Sequence, residues 1–494
     1  MTAPAHDDAS DGRSVDPADL ATCLRVLQQV GELDSSHPDS IAVQRASGRM
    51  FKNLKKSRRV AARTAISEAD RAVVAATATG SPERIDDETA GLSLTARASG
   101  EYAGTLVRPR PCYICKQRYT LVDAFYHQLC PDCAELNRSK RDARTDLSGR
   151  RALLTGGRAK IGMYIALRLL RDGAHTTITT RFPKDAIRRF SAMDDSDRWM
   201  HRLRVVGIDL RDPAQVVALA DSVAAEGPLD ILINNAAQTV KRSAGSYSAL
   251  IDAEALALPE GVGAEVITFG KTSEAHPSSL ATSLPQTPVE IGSAVDASMA
   301  ESVSSLALLA GSATAERIEQ GIAIDAGGLV PDLAETNSWI HTVDQVDPVE
   351  LLEVQLCNSV APFILVSRLR AAMEASPSRR KYIVNVSAME GQFSRAYKGP
   401  GHPHTNMAKA ALNMLTRTSA KEMRENGILM SAVDTGWITD ERPHHTKMRL
   451  ADEGFHAPLD LVDGAARVYD PIVQGELGVD LYGQFLKDFS PSPW

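Results

Sequence analysis

The sequence predicts an α/β protein built on a doubly wound parallel sheet, with a long insertion in the sheet domain and a helical segment and a small cysteine module ahead of it. Three observations carry this. From about Asp146, short β-branched runs (RALLTGG, HTTITTR, RLRVVGIDL, LDILINNAA, KYIVNVSA, ILMSAVDTG) alternate with longer helical stretches, the pattern of strands buried on both faces. A glycine-rich turn joins the first run to its helix, and two Cys-x-x-Cys pairs stand just upstream. With 43% hydrophobic and 24% charged residues, the 494-residue chain is neither a collagen, a disulfide miniprotein nor a disordered acidic tail.

Residues 1–16 (MTAPAHDDASDGRSVD) read as a disordered acidic tail; without an apolar core they resemble neither a signal nor a transit peptide. Residues 17–105 read as a helical region and linker. DLATCLRVLQQVGEL has apolar residues at helical spacing, Ile41 to Ala76 forms one or two further helices, and 77–105 is polar and Gly/Thr-rich. Lys52, Lys55, Lys56, Arg58 and Arg59 cluster within KNLKKSRR and read as a solvated helix face.

Residues 106–145 form the cysteine module. Cys112-Tyr-Ile-Cys115 and Cys130-Pro-Asp-Cys133, 14 residues apart, give two knuckles that face each other with four thiolates, a zinc-ribbon-like, closed structural Zn²⁺ site. His127 between them can substitute as a ligand, though a place at the surface or behind the ligands is the expectation. Arg108, Arg110, Lys116, Arg118, Arg138, Lys140, Arg141 and Arg144 surround the module, which reads as a clamp stiffening a basic connection into the next domain. A net charge of −7 argues against a general nucleic-acid binder, an objection that is weaker for this basic N-terminal third. No apolar run reaches the roughly 18 residues of a bilayer span, and the cysteine usage suits a reducing cytoplasm.

Residues 146–494 are the sheet domain, with 241–338 as its insertion. That stretch holds 13 acidic residues against four basic ones, a local −9 that leaves +2 for the rest of the chain. It is Ser/Ala/Thr/Gly/Pro-rich and reads as a largely surface, partly disordered linker with one short helix near Ala300 to Leu309. Without it the domain has 251 residues.

After the first run come Thr155-Gly156-Gly157-Arg158-Ala159-Lys160-Ile161-Gly162 and the helix MYIALRLLRDGA, the strand–turn–helix of a Rossmann dinucleotide site. Asp209-Leu210, Asn234-Asn235-Ala236-Ala237, Asn358 in LCNSVAPF, Ser387 in IVNVSAMEG and Lys409 in TNMAKAAL follow. In that order and spacing the chain resembles the short-chain dehydrogenase/reductase superfamily over nearly all of 146–494 outside the insertion. The resemblance implies a nicotinamide dinucleotide, a small-molecule substrate, and a homo-oligomer, dimer or tetramer. It also implies that Gly156 and Gly162 line the pyrophosphate, that Asp209 holds the adenine amino group, that Asn235 stabilises the central strand beside the cofactor, and that Lys409 bonds the nicotinamide ribose. The family's middle glycine is Lys160 here, so its side chain points away from the cofactor or meets a phosphate.

Charge argues for NADP(H) over NAD(H). Thr180-Arg181-Phe182 stands where an NAD site needs a carboxylate, Arg158 and Lys160 lie in the glycine loop, and the first acid, Asp185, comes four residues later. At the reaction end the resemblance implies a tyrosine acid/base four residues before the lysine, a serine bonding the substrate carbonyl, and an asparagine holding a water. Asn358, Ser387 and Lys409 are in place, but the tyrosine position is Thr405. Three readings follow: His404, His402 or Tyr397 supplies the proton; Thr405 only positions a substrate that needs little acid, such as an activated double bond or imine; or the domain is an inactive NADP(H) sensor or zinc-ribbon scaffold. Asp434-Thr435-Gly436-Trp437-Ile438-Thr439 resembles the family's Pro-Gly stretch beside the nicotinamide, placing Gly436 and Thr439 at the cofactor. ERPHHTKMRLADEGFHAP takes the place of the substrate lid, with His444 and His445 facing solvent. The tail DLYGQFLKDFSPSPW crosses a subunit interface or packs on its own domain.

Overall fold

The computed structural model describes residues 15–82, 84, 94–258, 261, 263–281, 328–395, 397–439 and 441–494. Two compact units divide the chain, Met1–Arg71 and Ala72–Trp494. In the first, α1 (Pro17–Gly31) starts with a proline in its first turn and Asp16 accepting a 2.7 Å hydrogen bond from the Ala18 amide. Next, α2 (Pro38–Ala75) is one unbroken helix whose last turn enters the second unit, and Lys52, Lys55, Lys56, Arg58 and Arg59 are exposed on it.

The second unit opens with the cysteine module: β1 (Tyr102–Pro111) and β2 (Arg118–Asp123), antiparallel, then α3 (Pro131–Asp142). The stretch read as a linker is partly structural. Thr77, Thr79 and Arg84 are buried, Arg84 donates to the Ala457 and Leu459 carbonyls (2.7 and 2.6 Å), and β1 begins at Tyr102. Polar composition hid this because the burial is held by side-chain hydrogen bonds rather than by an apolar periodicity.

A nine-stranded sheet forms the body. Its strands are β3 (Arg151–Leu154), β4 (His175–Thr180), β5 (Leu203–Gly207), β6 (Ile231–Asn234), β7 (Glu265–Thr268), β8 (Lys381–Ser387), β9 (Ile428–Asp434), β10 (Phe485–Lys487) and β11 (Ser490–Ser492), in the order β11-β10-β9-β8-β6-β3-β4-β5-β7. Every neighbouring pair is parallel except β10–β11. The order runs one way from β3 to β5 and the other way from β6 to β10, so the topology switches between β3 and β6, where α/β sheets hold ligands beyond their strand ends. Helices α4 (Lys160–Arg171), α5 (Pro183–Ser191) and α13 (Leu461–Glu476) cover one core. The other core packs under α6 (Pro213–Ala225), α10 (Ala361–Glu374) and α11 (Pro403–Arg424). Strands β8 and β9 are buried at every residue, as expected for helices on both faces.

The insertion differs from a plain surface linker. It contains a 3₁₀ turn (Ala244–Tyr247), α7 (Ser248–Ala255), β7 and α8 (Ser278–Ala281). Strand β7 adds an edge to the sheet with Gly207 opposite Thr268, and Glu254 of α7 accepts from the Lys184 and Asp185 amides at the start of α5 (3.1 and 2.7 Å). At four residues, three of them exposed, β7 is too short to show a strand period, and its position follows from the open side of β5. The helix expected near Ala300 to Leu309 and the tail before residue 15 lie outside the described residues. The C-terminal tail packs on its own domain: it supplies β10 and β11, and Ser394 donates to Trp494 O (3.0 Å). Among the described residues one helical run, Pro348–Glu374, is long and apolar enough to cross a membrane; half of its most apolar window is packed inside the protein. It comprises α9 (Pro348–Gln355), a π turn (Leu356–Val360) and α10, and α12 (His444–Asp452) lies in the region read as the lid.

Candidate active site

A cleft of about 1230 Å³ runs along the carboxyl ends of the strands. At one end it is floored by the turn after β3, where two glycines are required. Gly156 has φ +70°, and a Cβ at Gly162 would stand 2.0 Å from the Gly156 carbonyl oxygen. The N-cap of the 12-residue α4, Ala159, supplies no side-chain acceptor, and the N-terminus of this helix opens toward the cleft, where a helix end favours an anion. Asn235 ties β6 to this turn through its side-chain amide, which donates to Thr155 O and Gly156 O (both 3.1 Å). Thr155 lies beneath the turn and not in the cleft. Its hydroxyl accepts from the Asn235 and Ala236 amides at 3.0 Å each, which makes it a support for the loop.

Arg158, Lys160, Ile161, Arg181, Asp209, Leu210 and Ala236 all line this end. Lys160 holds a left-handed φ of +52°, the conformation a glycine would take without a Cβ penalty. The Arg181 guanidinium lies over the rings of Phe182 (5.7 Å) and Tyr247 (5.1 Å), which stack on each other at 6.0 Å. Asp185 does take part here, against the expectation from its place in the chain. On the first turn of α5 it pairs with Arg158 and, at 2.7 Å, with Arg189, because the helix folds it back over the loop. Burial alone would raise the Asp209 pKa, but the hydrogen bonds and charge of Arg211, which grips both its oxygens, bring it to about 2.

The other end of the cleft gathers Ser387, Thr405, Lys409, Gly436 and Thr439. Thr405 and Lys409 are one turn apart on α11 and so share a face. The Thr405 hydroxyl is buried with no hydrogen-bond partner among the described residues. Lys409 donates to the Val386 carbonyl (2.7 Å), and burial lowers its pKa to about 8. Ser387 donates to Asn413 Oδ1 (2.6 Å), Gly436 to Asp434 Oδ1 (2.9 Å), and Thr439 to Glu441 (3.2 Å).

Besides Thr155, two expected site residues stand apart from the cleft lining. Asn358, in the π turn, spends both polar atoms on the main chain of Gln238, accepting from its amide (2.7 Å) and donating to its carbonyl (2.9 Å). His404 is 1% exposed and absent from the lining, with Glu350 as its nearest acid at 3.9 Å. Consecutive helical residues point about 100° apart, so the turn that aims Thr405 into the cleft aims His404 toward α9. Burial also lowers its pKa, against the opposing charge of Glu350. Of the other two candidates, Tyr397 sits exposed on the rim. His402 lines the cleft in a left-handed backbone, stacked on Trp339 at 3.9 Å and bonded through Nδ1 to the Trp339 carbonyl.

The cysteine module reaches the same cleft. The Sγ atoms of Cys112, Cys115, Cys130 and Cys133 lie within 4.8 Å of one another, with Cys115 and Cys130 at 3.6 Å. Zn–S bonds of about 2.3 Å put tetrahedral sulfurs ~3.8 Å apart, so the set fits Zn²⁺. His127 is neither at the surface nor in this set: it is buried and bonded through Nδ1 to the Thr79 hydroxyl (2.8 Å). The first knuckle lines the cleft with Tyr113, Ile114 and Lys116, and the Tyr113 hydroxyl accepts from the Trp437 amide (2.9 Å). Among the described residues, four of the eight basic residues around the module are paired with acids. Arg138 pairs with Asp123, Lys140 with Asp470 (2.6 Å), Arg141 with Asp460 and Asp463 (2.5 and 3.0 Å), and Arg144 with Asp172. The pairs of Lys140, Arg141 and Arg144 hold the module to the sheet domain, and Arg138–Asp123 braces the module internally.

The short chain dehydrogenase family model matches residues 150–253. An uncharacterized protein of Acanthamoeba polyphaga mimivirus is 31% identical over 382 residues, covering 74% of this chain and 71% of that protein. This chain belongs to the short-chain dehydrogenase/reductase superfamily. A probable oxidoreductase of Streptomyces antibioticus is 38% identical over 94 residues, which span 18% of this chain and 30% of that protein. Among solved structures, an NADPH-bound carbonyl reductase from chicken fatty liver is 18% identical with a TM-score of 0.42, covering 72% of this chain and 98% of the other.

Tyr113, Lys116, Tyr247, Trp339, Asp434 and Lys487 also stand in the cleft wall, where no motif in the chain assigns them a role. Asp434 was visible inside the DTGWIT stretch. The others come from the cysteine module, the insertion and the residue just after it, and the C-terminal strand, and no motif links those to the site.

Proposed function

We propose that this protein is an NADP(H)-dependent oxidoreductase that transfers hydride to or from a small organic carbonyl, alcohol or related double bond, with a structural Zn²⁺ held by Cys112, Cys115, Cys130 and Cys133. The observation that carries this reading is one cleft with two chemically distinct ends. At one end an uncapped helix N-terminus meets Arg158, Lys160 and Arg181; at the other stand Ser387, Thr405 and Lys409. Bound reduced nicotinamide supplies the hydride. Gly156, Ile161 and Gly162 admit the pyrophosphate, Asn235 and Ala236 hold the loop beside it, and Asp209 and Leu210 flank the adenine. Lys409 holds the ribose hydroxyls, Gly436 and Thr439 border the carboxamide, and Ser387 turns its hydroxyl from Asn413 to the substrate oxygen. Asn358 acts through Gln238 by fixing the cleft wall, and Thr405 shapes the space a tyrosine would fill. Family membership supports a homo-oligomer. NADPH oxidation against a panel of carbonyls and activated alkenes tests the activity. The lack of a tyrosine at Thr405 favours one alternative, an NADP(H)-binding sensor, which the same panel identifies by binding without turnover.

Arg181 sets the cofactor choice in this reading, since the stack on Phe182 and Tyr247 holds its cation in place at the adenosine end. A charge-assisted bond to a 2′-phosphate contributes ~1.5–3 kcal/mol. Arg181→Ala is therefore expected to weaken NADPH binding about 10- to 100-fold in a fluorescence titration and to leave NADH binding nearly unchanged. Equal loss for both cofactors rejects the assignment.

A further inference from the structure

Resting on the proposed oxidoreductase function, we propose that Asp434 is the acid that stands in for the missing tyrosine, giving its proton to the substrate oxygen held by Ser387. The sheet register carries this. In the last row of strands, Asp434 pairs with Ser387 of β8 on one side and with Lys487 of β10 on the other. Neighbours in register on parallel strands are ~4.8 Å apart with side chains on the same face, so the three form one polar row. All three line the cleft.

Asp434 is 3% exposed, and its two oxygens differ. Oδ1 accepts from the Gly436 amide at 2.9 Å. Oδ2 has no hydrogen-bond partner among the described residues and stands 3.7 Å from Lys487 Nζ. A buried carboxylate oxygen without a donor is costly, whereas the same atom as a hydroxyl has a proton to give. Burial is the largest influence on the group and raises its pKa. Asp488 and Glu390 add to the rise, the Gly436 amide and Lys487 oppose it, and the Tyr113 hydroxyl and Arg467 guanidinium close the site from the cysteine module and α13.

The step balances. The substrate carbon takes a hydride, with both its electrons, from the reduced nicotinamide. The C=O π bond breaks toward oxygen, and that oxygen takes the proton from Asp434 Oδ2. The alcohol leaves, and the Asp434 carboxylate, facing Lys487, is reprotonated by water entering the open cleft.

Two measurements test this. Carbon NMR of the aspartate carboxyls, with Asp434 assigned by its loss in Asp434→Asn, is expected to show a group titrating above the ordinary value of about 4. Ionisation at or below that value overturns the proposal whether or not a substrate is known. In NADPH oxidation, Asp434→Asn is expected to bind NADPH normally and turn over ~10²–10⁴-fold more slowly. It is also expected to lose the limb of the pH profile that falls as the carboxyl ionises. Lys487→Met is expected to move that limb to higher pH, since removing a cation disfavours the carboxylate. Wild-type turnover and an unchanged limb in Asp434→Asn overturn the proposal. A wild-type protein that oxidises NADPH with no substrate on the panel counts against the oxidoreductase reading instead, and the NMR result then decides Asp434 alone.

Discussion

Lys409→Met is expected to slow turnover by about 10²-fold or more without making the protein less stable. The loss follows from position. Lys409 is the buried cation at the reaction end, and as the proposed holder of the nicotinamide ribose it sets the distance between hydride donor and acceptor, where a shift of about 1 Å costs ~10²-fold. The stability half follows from linkage. Burial lowers the Lys409 pKa from 10.5 to about 8. A lowered lysine pKa means that folding opposes the charged form. Below pH 8 both the folded and unfolded states are protonated and the full penalty applies, roughly 3 kcal/mol. It is relieved as pH rises from 8 to 10.5. Methionine keeps the stem and drops the charge, so its melting temperature at pH 7 is expected to match or exceed that of the parent, with the difference shrinking toward pH 10. Thermal melts at the two pH values, beside NADPH oxidation, check both halves. Full turnover in Lys409→Met removes the proposed role.

Removing the metal is expected to damage the cleft as well as the module. Metal analysis is expected to find about one zinc per chain, and chelation or Cys133→Ser to weaken NADPH binding by about tenfold or more and lower the melting temperature. Structural zinc in small modules contributes apparent binding energies of ~10–16 kcal/mol, which are folding energy for the segment around it. Here that segment includes Tyr113, Ile114 and Lys116 in the cleft wall and the hydroxyl that holds the Trp437 amide. Tyr126, bonded to Asp463 at 2.6 Å, and Arg141, paired with Asp460 and Asp463, tie the module to the start of α13. Unchanged NADPH affinity after complete zinc loss detaches the module from the site, and a metal content well below one per chain removes the zinc assignment.

The motif residues and the cleft correspond closely at some positions and poorly at others, for local reasons. Gly156, Gly162, Ser387 and Lys409 were legible because each lies at the end of a strand or on the helix that follows it, where parallel-sheet topology brings chain-distant turns to one edge. His404 misled because its chemistry suits proton transfer, whereas its direction depends on the rotation of α11, and its neighbour Thr405 takes the cleft. Asp185 misled in the opposite way, since spacing along the chain gave no hint that α5 returns it to Arg158.

What the sequence alone determined is the local chemistry: alternating buried strands and helices, a glycine-rich turn between the first strand and its helix, and four cysteines at knuckle spacing. These depend on neighbours within a few residues and on periods of two and 3.6. Only the tertiary structure decided that the acidic insertion lends Tyr247 to Arg181, that the cysteine module walls the cleft with Tyr113, and that the C-terminal strand places Lys487 beside Asp434 and Ser387. Those contacts join segments roughly 50 to 320 residues apart, held together by sheet register and ion pairs that have no periodic signature in the chain.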